Sequence, residues 1–507
     1  METPAWKRYA LTSLITAISL VGVGYGCYLV LFVLGSPAEK VLGGVFVLLL
    51  AVNALFNIAG CYYYLASFSA ARVRIPPVRS LPRVAVVVPA RNEKLETVEK
   101  TLRSLLAVDW PREKLAYYVI DNSDRPDTAL AGFCRRHGIR YAFIHNPVKL
   151  KSYALNKLLP SIKEEFIALF DADDVLVNPA FLKENIGFLL ADPSLASVQT
   201  RKEYAPGSLF ANTVNAYYSF FYNFVQPVRG ADRSGMFCGS AGVIRKSAVE
   251  KIGGFPASPT EDTAFSFLAD LRGMGGAFNP RAYALGEPIE SFATFLAQQW
   301  RYTIGNTWLV WTYLKNIARI PLAKQLHYAS QVFSFAYLSY LFIFYALLTL
   351  AFVVLNLSTT IFFSFALIPE FAHFIALTYM VAIIAMVVAG AKLYFGSYRL
   401  GLMVMFINFA VALTRARAIA VALLGLPTRF VMTRQAAHSM SWADAVAKTK
   451  WESALSGVLL LFAAISFIRL DLIGGFWLFW YGWLFSSAAV FALSTDARAA
   501  TAPARKA

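Results

Sequence analysis

Cysteine is scarce. The four present, at positions 27, 61, 134 and 238, are too few and too scattered for a disulfide framework, and no two form a C-x-x-C pair. Five scattered histidines include no H-E-x-x-H. Zinc and redox chemistry both lose their usual ligands. No Gly-rich phosphate motif occurs, so neither a P-loop nor a dinucleotide fingerprint is present. Charge is also thin. Charged residues make up 15% of the chain against 58% hydrophobic, which argues against a soluble protein and for an integral membrane protein. The net charge of +17 forms no basic array of the kind that nucleic-acid binding needs. Many of the Lys and Arg residues flank apolar spans instead, so anionic lipid headgroups and an anionic substrate account for the charge. No internal repeat is found.

Long apolar runs are what the chain has in abundance. Residues 10–34 are long enough to span a bilayer and too long for the core of a cleavable signal peptide, which predicts a retained anchor. Residues 41–68 form a second span, with Pro37 and Glu39 in the turn between. Arg72, Arg74, Arg79 and Arg83 follow, and Lys7 and Arg8 precede, so both ends of this hairpin are expected in the cytoplasm. Spans resume at 328–356 and 371–394, joined by a link without Lys or Arg that suits an external loop. Residues 401–426 are apolar but carry Arg415 and Arg417, and read as an interfacial or re-entrant helix. Residues 453–470 and 473–494 complete six expected spans. The expected organisation is a transmembrane hairpin (1–71), a cytoplasmic α/β domain (72–290), amphipathic interfacial helices (291–325), a second hairpin (326–400), an interfacial helix and loop (401–452), a third hairpin (453–494) and a disordered tail (495–507). The chain is therefore expected to be a multi-pass protein of the plasma membrane.

The chemistry concentrates in the α/β region. In residues 166–174, F-I-A-L-F-D-A-D-D, an apolar run reads as a buried strand ending at Asp171, Asp173 and Asp174. Ligands sit at such strand ends in open α/β sheets. Asp171 and Asp173 are hard oxygen ligands that suit Mg²⁺ or Mn²⁺ carrying a diphosphate; read alone, they equally close a strand in a solvated turn. Residues 84–88 form another buried strand, followed by Pro89, Ala90, Arg91, Asn92 and Glu93, a loop with room for a nucleotide. A third strand ends at Asp121, whose carboxylate suits the imide N–H of a uracil as well as it suits an Asx turn. Lys151 opens a helix and is either a phosphate clamp or a solvated lysine. Gly239 and Gly242 permit close approach of a ligand to backbone. Thr260 is placed to cap a helix with Glu261 and Asp262 in its first turn. Gln298, Trp300, Arg301 and Tyr302 lie in an aromatic amphipathic stretch fit either for sugar stacking or for headgroup anchoring.

In this order the residues resemble the membrane-embedded family 2 glycosyltransferases, the cellulose and hyaluronan synthase group. The pattern of a first aspartate, D-x-D, T-E-D and Q-x-x-R-W appears as Asp121, Asp171-Ala172-Asp173, Thr260-Glu261-Asp262 and Gln298-Gln299-Trp300-Arg301-Tyr302. Phe237-Cys238-Gly239-Ser240 is similar to the acceptor-site motif of bacterial cellulose synthases. Phe430 to Gln435 is similar to their gating loop, with Phe430 and Thr433 matching, Met432 in place of Val and Gln435 in place of the terminal Lys. Tyr302 stands where the family has Trp.

The resemblance implies a GT-A, Rossmann-like domain inserted between transmembrane helices. It further implies a processive, inverting enzyme that polymerises a UDP-sugar, with UDP-glucose the first candidate, into a β-linked glucan and passes it through its own membrane channel. Asp262, with Glu261 beside it, is the implied base. Pro89, Ala90, Asn92, Glu93, Asp121, Lys151, Asp171, Gln298, Arg301, Thr433 and Arg434 are the implied nucleotide site, with Arg434 or Arg429 supplying the missing lysine's charge. Asp171 and Asp173 would hold Mg²⁺ or Mn²⁺. Phe237, Cys238, Gly239, Trp300 and Tyr302 would frame the acceptor, and Gln331, Tyr337, Tyr340 and Asn408 would contribute to a channel face. Implied partners are the UDP-sugar, the growing polysaccharide, the bilayer, and accessory subunits or further copies, with no nucleic acid. Other β-linked polymers (β-1,3-glucan, chitin, hyaluronan, mannan) and single transfer to ceramide or diacylglycerol stay open, as does a non-catalytic membrane subunit.

Overall fold

Residues 84–88, Val-Ala-Val-Val-Val, have no polar alternate, so a strand built from them must be covered on both faces. In the folded chain Val84, Val86 and Val88 enter one buried cluster, while Ala85 and Val87 enter another on the opposite face. Each fully buried valine contributes about 1.5–3 kcal/mol relative to exposure. The computed structural model describes residues 5–78, 80–357, 392, 396–426 and 441–496. All but one residue of the expected span 371–394, the loop carrying Arg429, Thr433 and Arg434, and the end of the tail lie outside the described residues.

The strands are β1 (Val84–Ala90), β2 (Leu115–Asp121), β3 (Arg140–Phe143), β4 (Phe166–Leu169), β5 (Val175–Leu176), β6 (Leu195–Tyr204), β7 (Gly242–Arg245) and β8 (Gly275–Gly286). They form one sheet in the order β3-β2-β1-β4-β7-β6-β8-β5. β3, β2, β1 and β4 are parallel neighbours, and β7 runs antiparallel to β4. β6 pairs antiparallel with β7 and parallel with β8, which carries the antiparallel β5. Strand order reverses at β1, between β2 and β4, so a crevice opens past the carboxyl ends there. Pro89 is tolerated in β1 because the β4 ladder stops at Val87, so nothing on that side asks for its missing N–H.

Among the described residues, five helices are long and apolar enough to cross a membrane: Ala5–Phe32, Pro37–Ala70, Lys324–Val354, Lys450–Ile468 and Leu472–Thr495. Pro37 and Glu39 do not form a turn, as expected, but open the second helix. Ser36 Oγ accepts from Glu39 N at 3.2 Å, and Glu39 Oε2 accepts from Ser36 N at 3.0 Å, a reciprocal cap with proline at the first helical position. The run 401–426 folds as two helices, Tyr398–Ala410 and Ala412–Leu423, bent by 42°; counted as one broken span, they would make a sixth. Buried Glu452 caps the second of them, accepting from Thr414 N and Oγ1 at 3.1 and 3.0 Å. In place of several amphipathic helices over 291–325, one 25-residue helix, Phe292–Asn316, is capped by Ser291 and followed by a single 3₁₀ turn. The helix Leu322–Val354 comes next.

Candidate functional site

Asp171 follows β4 at the crevice, and two ammonium groups hold its carboxylate. Lys151, first residue of the helix Lys151–Leu158, donates to Oδ1 at 2.6 Å and to the Gly239 carbonyl at 2.9 Å. Lys202, on β6, donates to Asp171 Oδ2 at 3.2 Å and to Ser240 Oγ at 2.7 Å, and lies 3.6 Å from Asp174 Oδ1. Asp174, almost fully buried, accepts from the Asp171 N–H at 3.1 Å and so shapes the turn. Burial alone would raise the Asp171 pKa, but Lys151 and Lys202 outweigh it and hold the carboxyl below the usual carboxylate range. Asp173 has no such pairing among the described residues. Burial, with Asp174 and Asp171 beside it, pushes its pKa up to about 7.

The loop before β7 crosses this crevice. Cys238 N donates to Gln199 Oε1 at 2.7 Å, Met236 N to Gln226 Oε1 at 3.0 Å, and Phe237 N to Ser266 Oγ at 2.9 Å. The loop is thereby fixed to three elements. Gly239 has φ +82°, and a Cβ there would come 3.1 Å from Asp262 Oδ2, so the glycine serves both the backbone and the approach of the carboxylate. Phe237 is 1% exposed and packs edge-on against Phe265, so it forms core beneath the site. This corrects its expected place at the acceptor. Burial and neighbouring Asp262 push the Cys238 thiol up to about 12, which makes it an inert wall rather than a nucleophile.

Glu261 and Asp262 open the helix Glu261–Leu271, as the spacing predicts. Thr260 stands at the N-cap, but its side chain makes no capping bond and its Oγ1 lies 3.4 Å from Ser258 Oγ, contrary to expectation. Burial raises the Asp262 pKa, and burial with Asp262 pushes Glu261 up to about 7. Arg301 comes from the Phe292–Asn316 helix and lies within electrostatic reach of Glu261, Asp262 and Asp171. Its Nε is buried without a hydrogen-bond partner among the described residues. A desolvated, unsatisfied cationic donor is costly unless an anion completes it.

The same helix carries the rest of the aromatic motif. Gln298 Oε1 accepts from Tyr218 OH at 2.5 Å, and Gln299 Nε2 donates to that hydroxyl at 3.0 Å. Gln299 Oε1 accepts from buried Arg415 Nε and Nη2 at 3.1 and 2.7 Å. Tyr302 is grouped with Tyr204, Tyr218 and Tyr222, phenols whose pKa burial raises. Trp300 is two positions from Tyr302, about 200° around a helix. Its ring lies 5.8 Å from the Arg417 guanidinium.

At the end of β2, Asp121 is fully buried. It accepts from Ser123 N at 3.0 Å on Oδ1, and from Asp127 N at 2.8 Å and Tyr141 OH at 2.5 Å on Oδ2. Next to it, Asn122 Oδ1 is a buried acceptor with no partner among the described residues. Asn92 adopts φ +51° and ties the β1 loop to this turn. Its N–H donates to Ser123 Oγ at 2.8 Å and its amide to Asp124 Oδ2 at 3.0 Å. Pro89, Ala90 and half-buried Glu93 frame the same loop. The expected channel residues each have a partner. Gln331 donates to Asn306, Tyr337 to Asn53 and Tyr340 to the Ala416 carbonyl, while Asn408 accepts from Arg415.

Sequence reasoning missed Lys202, Tyr204, Tyr218 and Asn122. One signal was present: Thr200, Lys202 and Tyr204 alternate along β6, which places them on one face.

Residues 82–305 match the family described as glycosyltransferase like family 2. The chain is 32% identical over 231 residues, 44% of its length, to the UDP-forming cellulose synthase catalytic subunit of Pseudomonas fluorescens, covering 31% of that protein. It is 27% identical over 275 residues, 51% of its length, to the UDP-forming cellulose synthase catalytic subunit of Xanthomonas axonopodis pv. citri, covering 36% of it. The matches thus span about a third of these relatives' own length. Among solved structures, a mannosyltransferase from Pyrobaculum calidifontis, in complex with GDP-Man and Mn²⁺, shares the fold with TM-score 0.52 at 19% identity, over 74% of this chain and 98% of that one. The sheet is therefore the GT-A-like α/β fold of glycosyltransferases, carried with long apolar helices compatible with membrane spans.

Proposed function

We propose that the domain over residues 82–305, which matches glycosyltransferase like family 2, polymerises a UDP-sugar, UDP-glucose before others, into a β-linked polysaccharide that leaves through the membrane helices. The observation that carries the proposal is the convergence on one crevice of Asp171 with two ammonium groups, the Glu261–Asp262 pair, and Arg301 with its unpartnered buried Nε.

In this reading Asp262 takes the proton from the acceptor hydroxyl, and that oxygen attacks the anomeric carbon from the face opposite UDP. The bond to UDP breaks as the new one forms, so an α-linked donor yields a β-linked product. Arg301 and Lys151 lie where negative charge develops on the departing diphosphate. The uracil edge is read at the end of β2 by the turn that Asp121 braces, through Asn122 Oδ1, which has no partner among the described residues. Cys238, Gly239 and the tyrosine group around Tyr302 face the acceptor sugar; aromatic faces suit its C–H surface.

The donor set fits a hard cation. Among the described residues no three acidic, imidazole or thiol groups form a ready-made cage. Asp171 and Asp173 supply the one or two carboxylates that Mg²⁺ or Mn²⁺ uses alongside substrate phosphates. Bound there, the cation supplies further positive charge against the diphosphate. The basic residues that flank the first hairpin support a place for the domain on the cytoplasmic side of the plasma membrane.

The test is a radiolabel assay on the full chain in lipid nanodiscs, with several UDP- and GDP-sugars and either metal. High-molecular-weight product from UDP-glucose that a β-1,4-glucanase cuts is the expected result. A short organic-soluble product would replace this reading with single transfer to a lipid. Polymer from another donor would keep the mechanism and change the sugar.

A further inference from the structure

We propose that Lys202 is the resident counter-cation of the aspartate turn, and that it keeps the turn's affinity for a divalent cation low until a nucleoside diphosphate arrives. The inference rests on the donor site proposed above and adds a residue to it.

Lys202 stands on a paired strand, and its side chain is only 12% exposed. An ammonium group has three donors and no acceptor. This one donates to Asp171 Oδ2 at 3.2 Å and Ser240 Oγ at 2.7 Å, and Asp174 Oδ1 lies at ion-pair distance, 3.6 Å. Lys151 occupies the other oxygen of Asp171 at 2.6 Å. The two ammoniums therefore cancel Asp171 and Asp174, and Asp173 is the one aspartate of the turn without an ion pair among the described residues.

Charge balance then governs what can enter. A divalent cation seeking Asp171 must displace an ammonium from one of its oxygens and then sit beside two lysines. Like charges at that separation in a buried site oppose it strongly. A diphosphate changes the balance, because its oxygens offer Lys151 and Lys202 new acceptors and bring negative charge with the cation. Cation and diphosphate should thus bind as a unit. Lys202 is less free to swing aside than a surface lysine, since Ser240 Oγ accepts from its ammonium at 2.7 Å and its chain neighbours Arg201 and Glu203 pair with β8. Lys202 acts through the aspartates and is a positioning residue.

The experiment is Mn²⁺ titration of the full chain in nanodiscs by electron paramagnetic resonance, without nucleotide and then with UDP. Wild type is expected to bind Mn²⁺ weakly alone and at least about tenfold more tightly with UDP, the scale of one neighbouring charge. Lys202→Met should bind Mn²⁺ at least about tenfold more tightly than wild type without UDP, and Lys202→Arg should behave as wild type. Should the Met variant fail to fold, Lys202→Gln, shorter but still a polar donor, removes the charge in a different side chain. Equal nucleotide-free Mn²⁺ affinity in wild type and the neutral variant overturns the proposal, as does tight nucleotide-free binding by wild type. If UDP changes Mn²⁺ affinity in neither protein, the donor-site reading fails, while the nucleotide-free comparison still decides the role of Lys202.

Discussion

Asp262 is where chemistry is concentrated in a single side chain. Asparagine there keeps shape and loses the proton acceptor. Asp262→Asn should lower turnover by a factor of about 10²–10⁴ and leave UDP binding near wild type, since Lys151 and Asp171 are untouched. Initial rates beside calorimetric titration with UDP separate the two. The pH profile has a definite sign. Burial raises the Asp262 pKa, and the base works only when deprotonated. Turnover should therefore fall on acidification through a limb lying above the value of about 3.9 of an unperturbed aspartate. A flat profile down to that value would remove Asp262 from the role. The carboxylates were legible from sequence because aspartates at strand and helix ends are chemically distinctive. Lys202 was not, because a lysine near the polar end of a strand looks like any solvated lysine until the turn after β4 and the loop before β7 close around it. Phe237 illustrates the opposite error. A motif position was taken for a contact, whereas packing against Phe265 had already used its ring.

At the scale of elements, the site depends on how closely two helices approach. A Cβ on Gly305 would lie 2.3 Å from Thr260 Oγ1, so the helix carrying Arg301 packs directly on the Thr260 side chain with no room for a Cβ of its own. Gly305→Leu forces them apart at a cost of about 1–3 kcal/mol in packing. Because a shift of about 1 Å in catalytic geometry can cost 10²-fold, turnover should fall far more than the unfolding temperature does; rates beside thermal scans of the same preparation decide it. An equal loss in both would mean that the glycine matters for packing alone. Strand β1 was readable because an unbroken valine run allows only a doubly covered strand. The start of the second span was misread by a few residues, although Ser36, Pro37 and Glu39 form a capping box. The bend of the 401–426 segment was partly legible, since two arginines argued against a simple span. What they do was not: Arg415 is buried against Asn408 in the preceding helix and against Gln299 and Tyr217, far away in sequence.

For the whole molecule, the proposed orientation makes Gly35 external and Ser80 cytoplasmic. Both positions are exposed in the fold. Single cysteines placed there should label differently with a membrane-impermeant maleimide over the wild-type background. Gly35→Cys should react in intact cells, and Ser80→Cys only after permeabilisation. The reverse pattern would invert the topology and put the donor site outside. The apolar spans, the inserted α/β domain and the order of the chemical motifs followed from the chain alone, because hydrophobic length, period and residue type are local properties. Tertiary structure alone decided which motif residues share the crevice, that Lys202 stands opposite Lys151 across Asp171, and that Arg301 keeps an unpartnered donor there. Those outcomes depend on side chains brought together from distant strands and helices, where burial and neighbouring charge, rather than local pattern, set what each group can do.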